Sequence, residues 1–148
     1  MDMPMAHSRY RHWLVVVIAV GLLACSELAS AQQSDDVAVV TNLTRRFFEA
    51  TQRKDIDVVL NLWSAKAPDL PAFTEAMRKM FAEVGSIELK SLEIRRVTED
   101  GTQLIVRVIV EMNAADLKSA KPASDFGRRN RTLRFVKEDG RWKLLAPM

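Results

Sequence analysis

Residues 87–112 read IELKSLEIRRVTEDGTQLIVRVIVEM, and the parity of the apolar positions in this stretch decides the architecture. Leu104, Val106, Val108, Val110 and Met112 share one face, while Ile105, Arg107, Ile109 and Glu111 share the other. A period of two over nine residues predicts a strand with one face against a core. The earlier half alternates less evenly. Ile87 and Leu89 have one parity, Leu92 and Ile94 the other, and Val97 returns to the first. A strand that keeps all five on one face must insert a residue at each slip, between Leu89 and Leu92 and between Ile94 and Val97. Such β-bulges bend a strand and increase its twist, so the sheet is predicted to be strongly curved. Glu99-Asp100-Gly101 supplies the hairpin turn between the two halves.

Working outward toward the C-terminus, residues 114–129 are polar and contain Pro122 and Gly127, which predicts a long hairpin loop. Thr132 to Lys137 reads as a third strand, Glu138-Asp139-Gly140 as a tight turn, and Arg141 to Leu145 as a fourth strand. Consecutive hairpins make the sheet antiparallel.

On the N-terminal side the period is helical. Ser34, with Asp35 and Asp36 after it, predicts a helix start, because a serine can cap free N–H groups and the acids suit the positive end of the dipole. Val37, Val40, Leu43, Phe47 and Ala50 then follow at helical spacing to about Gln52. Asp55 is placed to cap a second helix carrying Ile56, Val59, Leu60 and Trp63. Pro71 suits the first turn of a third, with Phe73, Met77, Met80, Phe81 and Val84 as its apolar stripe and Gly85 as its stop. The predicted fold class is α+β: three helices, then a curved antiparallel meander folded over them.

Residues 1–31 read differently. Arg9 and Arg11 make a basic start, and Trp13 to Ala24 is an uncharged apolar run of 12. Spanning a bilayer takes about 20 such residues, so the segment is read as a signal peptide. Ala29-Ser30-Ala31 offers the small-x-small cleavage site, and the domain would then be residues 32–148. Leu22-Leu23-Ala24-Cys25 also resembles a bacterial lipobox. Export to the periplasm or medium is therefore expected, with an envelope lipoprotein as the alternative. Membrane contact is expected only if Cys25 is lipidated or the signal stays uncleaved.

Removing Asp2, Arg9, Arg11 and Glu27 with that segment leaves 20 basic and 17 acidic side chains, a net charge of +3. The balance is mildly basic. The densest basic cluster, Arg128-Arg129-Asn130-Arg131, lacks interleaved aromatics. It reads as a solvated loop or a contact for anionic lipid or envelope polymer, and nucleic acid is not an expected partner. His7, Tyr10, His12 and Cys25 all precede the cleavage site, so residues 32–148 contain no His, Tyr or Cys. No zinc or transition-metal ligand set can be assembled, and no metal or other cofactor is expected. General acid/base work would fall on Asp, Glu or Lys shifted by burial.

The opening Lys54-Asp55-Ile56-Asp57 with Leu62-Trp63, the bent sheet and the closing Glu138-Asp139-Gly140-Arg141-Trp142-Lys143-Leu144 resemble the nuclear transport factor 2-like superfamily, across residues 35–147. The segments Leu62 to Lys90 and Gly127 to Thr132 are also similar to N-terminal domains of bacterial envelope proteins that carry tetratricopeptide repeats and a caspase-like domain. The resemblance implies a cone in which a curved sheet wraps helices and often leaves a pocket. It also implies a range of roles: isomerases, cyclases, dehydratases and binding modules share the cone. Acids that many members carry after the second helix are replaced here by Ser64-Ala65-Lys66.

The expected role is an exported, non-catalytic binding or interaction module. A cofactor-free isomerase, cyclase or dehydratase and a detached accessory domain of a larger repeat protein are the alternatives. Trp63, Phe47, Met77, Phe81 and Val108 are the candidate pocket wall, for a small apolar ligand, or else plain core. Phe47 and Phe48 are adjacent, so one of them is expected to be exposed to a partner. Ile105, Arg107 and Ile109 form the candidate homodimer face, with Arg107 and Glu111 placed to pair across it, and an envelope protein is the other expected partner. Arg107 and Arg134 read alternatively as anion contacts or as a solvated outer face.

Overall fold

The first strand, β1 (Val84–Asp100), runs antiparallel to β2 (Gln103–Asp116). Its pairing slips between Leu89 and Ser91 and again between Ile94 and Arg96. The bulges therefore lie where the apolar parity changes. Their effect is direct: Leu89, Leu92, Ile94 and Val97 end up opposite Met112, Val110, Val108 and Val106, so these four apolar residues of β1 meet the apolar face of β2 despite their changes of parity. The computed structural model in which this is seen describes the backbone of residues 11–124 and 126–147, and the side chains of residues 32–124 and 126–145.

The sheet is completed by β3 (Gly127–Glu138) and β4 (Arg141–Pro147), in the order β1-β2-β3-β4, all antiparallel. Asp139 and Gly140 both have positive φ, 48° and 77°, which makes the last turn a type I′ hairpin that only such residues adopt cheaply. Two strand boundaries differ from the expectation. The 114–129 loop is shorter, because β2 continues to Asp116 and β3 begins at Gly127. Arg128, Arg129, Asn130 and Arg131 are thus strand residues, paired with Glu111, Val110, Ile109 and Val108. Gly85 is likewise inside β1, at a third register slip between Val84 and Ile87, and not a helix stop.

The helices are α1 (Arg11–Gln52), α2 (Ile56–Asn61) and α3 (Leu70–Glu83). α1 does not start at Ser34. In the full chain no Gly or Pro interrupts residues 22–52, so Ser34, Asp35 and Asp36 lie within a continuous helix. The chain divides into two units, Met1–Asp36 and Val37–Met148, and the sheet and core belong to the second. Cys25 and the Ala29-Ser30-Ala31 site have side chains outside the described residues. Among the described residues no helix is long and apolar enough to cross a membrane.

Local chemistry explains the two short helices. The Asp55 carboxylate accepts the N–H of Val58 at 3.1 Å and caps α2, and Pro71 occupies the first turn of α3. α3 stops at Glu83, where Val84 turns extended and Lys54 Nζ donates to the carbonyls of Phe81 (3.0 Å) and Val84. The four C-terminal carbonyls of a helix lack intrahelical partners, and a lysine is one way to satisfy them. α2 ends before Trp63, which leaves the helix and bridges Leu144 of β4. Ser64 N donates to Leu144 O at 2.7 Å, Leu144 N donates to Leu62 O at 2.8 Å, and Ser64 Oγ donates to Glu138. This seam fastens the helical half to the last hairpin. The core gathers between the helices and the concave face of the sheet, centred on Phe135, Leu133, Leu144, Val106 and Val59, all essentially without solvent contact.

Candidate functional site

The concave face is filled at one end and hollow at the other. Near β4, the side chains of Leu104, Val106, Phe135 and Leu144 close against Val59 and Trp63. Toward the opposite end of β2 and β3 a cavity of about 250 Å³ remains. That is just under the size of ordinary ligand sites, about 300–1,000 Å³. α1 contributes Phe47, Phe48 and Thr51 to its wall, and α3 contributes Phe73, Met77 and Met80. The sheet side consists of Val110 and Met112 from β2 and Leu133 from β3, with Phe126 and Gly127 at the β3 start. The strand alternation that buries Leu133 and Phe135 also turns Arg129 and Arg131 toward this cavity, and both belong to its lining.

Physical chemistry follows from that lining. No Asp, Glu, Lys or His is among the described residues of the wall. The Thr51 hydroxyl already donates to Phe47 O at 2.9 Å. The two guanidinium groups offer N–H donors and no acceptor. Arg129 Nη2 donates to Ser124 O at 2.8 Å, and Arg131 has no hydrogen-bond or ion-pair partner among the described residues. Elsewhere among the described residues, no three His, Cys, Asp or Glu gather into a metal-ligating group.

Of the residues expected to wall a pocket, Phe47 and Met77 do line the cavity. Trp63 stands behind it: its ring packs on Phe73 at 4.2 Å between centroids, and Phe73 is what faces the hollow. The buried indole N–H of Trp63 has no hydrogen-bond partner among the described residues, so packing alone holds the ring. Val108 lies deeper in the core, and Phe81, half-buried on α3, is outside the lining. Phe47 and Phe48 are both buried, 8% and 6% exposed, and meet edge to face at 5.2 Å. The expectation that one of them is exposed is corrected by curvature: neighbours on a helix diverge by about 100°, and a sheet that wraps the helix covers more than that arc.

Ile105, Arg107 and Ile109 lie on the convex face of β2. Opposite them stand Arg134, Thr132 and Asn130 of β3, and Thr98, Arg96 and Glu93 of β1. Arg107 is exposed and directly faces Arg96, while the Nε of Arg134 is buried without a partner among the described residues.

The sequence puts Arg129 and Arg131 in a basic cluster expected to be a solvated loop or an anionic-surface contact, whereas both line the cavity. The available signal was parity: both share it with Leu133 and Phe135, and extending the third strand backward from Thr132 to Gly127 places them on the inner face.

No family model and no curated protein matches the chain. Solved structures do. A protein of the nuclear transport factor 2-like family from Streptomyces avermitilis aligns at a TM-score of 0.59 with 17% identity, covering 78% of this chain and 94% of its own. A ketosteroid isomerase-like protein from Erwinia carotovora atroseptica gives 0.60 with 18% identity, covering 74% and 91%. A protein from Novosphingobium aromaticivorans, whose name refers to aromatic ring hydroxylation, gives 0.62 with 15% identity over 76% and 86%. At such identities the likeness speaks to architecture: helices set in a bent antiparallel meander are the cone of the nuclear transport factor 2-like proteins, and that is the fold of this chain.

Proposed function

We propose that the protein is an exported, non-catalytic module that binds a small, largely apolar ligand in the hollow end of the cone. The observation that carries the reading is the composition of the cavity wall: aromatic and methionine side chains, with no group among the described lining residues that exchanges a proton near neutral pH. Methionines at Met77, Met80 and Met112 suit such a role, because an unbranched thioether adapts to varied ligand shapes.

The enzyme alternative draws on the neighbours, whose names include a dehydratase, a ketosteroid isomerase-like protein and a ring hydroxylase. It requires an acid or base within hydrogen-bond reach of the bound molecule. A deuterium-exchange assay on a ketone bound in the cavity separates the two readings. Exchange α to the carbonyl at the buffer rate supports the binding module, and faster exchange supports the enzyme.

Binding itself is read from Trp63, which touches the cavity through Phe73. Titration with 1-octanol is expected to change tryptophan emission with one-site saturation. Val110→Phe, which fills the hollow, is expected to abolish the change while leaving the near-ultraviolet circular dichroism intact. No change with the unaltered protein would remove the proposal.

Two further parts of the reading concern the whole chain. Cleavage after Ala31 predicts an intact mass beginning at Gln32. A homodimer through Ile105, Arg107 and Ile109 is supported by the self-complementary placing of Arg107 and Glu111 on one face. Light scattering that gives a monomer at all concentrations would remove the dimer.

A further inference from the structure

We propose that the ligand is a small amphipathic carboxylate, its apolar body inside the cavity and its carboxylate held at the rim by Arg129 and Arg131. The inference rests on the binding reading above and deepens it.

Register is the first ground. Arg129 is paired with Val110 and Arg131 with Val108, both buried inner-face residues of β2, and side chains directly opposite in a sheet share a face. Two residues apart on a strand, the guanidinium stems stand about 7 Å from one another. One carboxylate placed between them can be reached by both.

Charge is the second. The described lining holds two positive charges and no negative one. A guanidinium has five N–H donors in a planar fork that matches a carboxylate. Of the ten donors here, the described residues engage only the bond from Arg129 to Ser124 O. An anion is the chemistry that completes such a rim.

Shape is the third. Behind the arginines the wall is apolar, so a compact inorganic anion would leave the hollow empty. At about 30 Å³ for each water-sized group, a cavity of about 250 Å³ admits a body of about eight non-hydrogen atoms. Octanoate fits this description.

A competing account assigns the arginines to edge protection. Among the described residues β4 pairs only with Leu133–Glu138 of β3, so Gly127–Thr132 is an open strand edge, where charge discourages aggregation. Edge protection makes no distinction between faces. The proposal does, because Arg128 alternates to the convex side, opposite Glu111.

Calorimetric titration of octanoate and of 1-octanol tests the inference, using the unaltered protein, R129Q/R131Q and R128Q. Octanoate is expected to bind at least about tenfold tighter than octanol, in line with charge-assisted hydrogen bonds. R129Q/R131Q is expected to erase that preference, and R128Q to keep it. Equal affinities for the two ligands in the unaltered protein, or an equal loss in R128Q, would overturn the carboxylate inference while leaving an apolar site. Failure of both ligands would overturn the binding site itself. Sedimentation with anionic phospholipid vesicles that R128Q weakens as much as R129Q/R131Q, with no octanoate binding, would assign the arginines to a membrane surface and overturn the inference.

Discussion

The two ends of the concave sheet face are built from the same two strands, yet one is packed shut and the other stands open. At the closed end β2 and β3 present Leu104, Val106 and Phe135, and the seam from Leu62 to Ser64 binds the helices to β4 above them. At the open end the same strands present Val110, Met112, Arg129 and Arg131, and among the described residues β4 no longer pairs with β3. The difference lies in what covers the strands rather than in the strands. A residue on the inner face must be apolar where a neighbour seals it, and is free to be charged where it meets a hollow.

Deleting side chains at the two ends sets this contrast its strongest trial. Phe135→Ala at the closed end should cost about 3–5 kcal/mol, the usual range for a buried Phe. Met112→Ala borders a hollow that already exists, so it should cost about 2 kcal/mol or less, at or below the low end for such changes. Urea unfolding measures both, and equal costs would mean that the open end is packed like the closed one.

Trp63 sharpens the boundary between the ends. Trp63→Ala should cost about 3–5 kcal/mol. Trp63→Phe should cost below about 1.5 kcal/mol, since it keeps most of the ring volume and removes an indole N–H that lacks a partner among the described residues. A large loss in Trp63→Phe would mean that the N–H is bonded after all.

The rim arginines should matter least to folding. R129Q/R131Q is expected to change stability by no more than about 0.5 kcal/mol, as for other exposed substitutions. A substantial loss by thermal melting would make them structural.

The smallest effect belongs to Asp116, where β2 ends. Its carboxylate accepts the N–H groups of Ser119 (2.7 Å) and Lys118 (2.9 Å), and these bonds, led by that to Ser119, hold its pKa below the ordinary 3.8. The charged form is favoured in the folded state. Its contribution is therefore present above the unfolded-state value and is lost as pH falls through the lowered one. Carbon-detected NMR titration should place the Asp116 midpoint below that of the chemically denatured chain.

The contrast also explains what could be read from sequence. The bulges in β1 were legible because each slip moves an apolar residue to the wrong parity, and only an inserted residue restores it. The helix spacing and the closing Asp139-Gly140 hairpin were legible for similar reasons: a core leaves an apolar periodicity, and a type I′ turn demands particular residues. The first half of β3 was not. Arg128-Arg129-Asn130-Arg131 faces solvent on one side and the cavity on the other, so no apolar alternation marks it as a strand. The site was hidden by the property that makes it a site. Trp63 shows the converse. Its spacing suited α2, but the backbone bridge to Leu144 takes it out of the helix and into the seam. Such a pairing spans more than eighty residues and leaves no local signal.

The most direct test of an apolar hollow confined to one end is methyl NMR of protein labelled at the methionine ε-carbons and valine methyls, titrated with 1-octanol. The account predicts saturable shifts at Met77, Met80, Met112 and Val110, with Val59 and Val106 unmoved. Shifts spread evenly over both groups, or none at the three methionines, would contradict it.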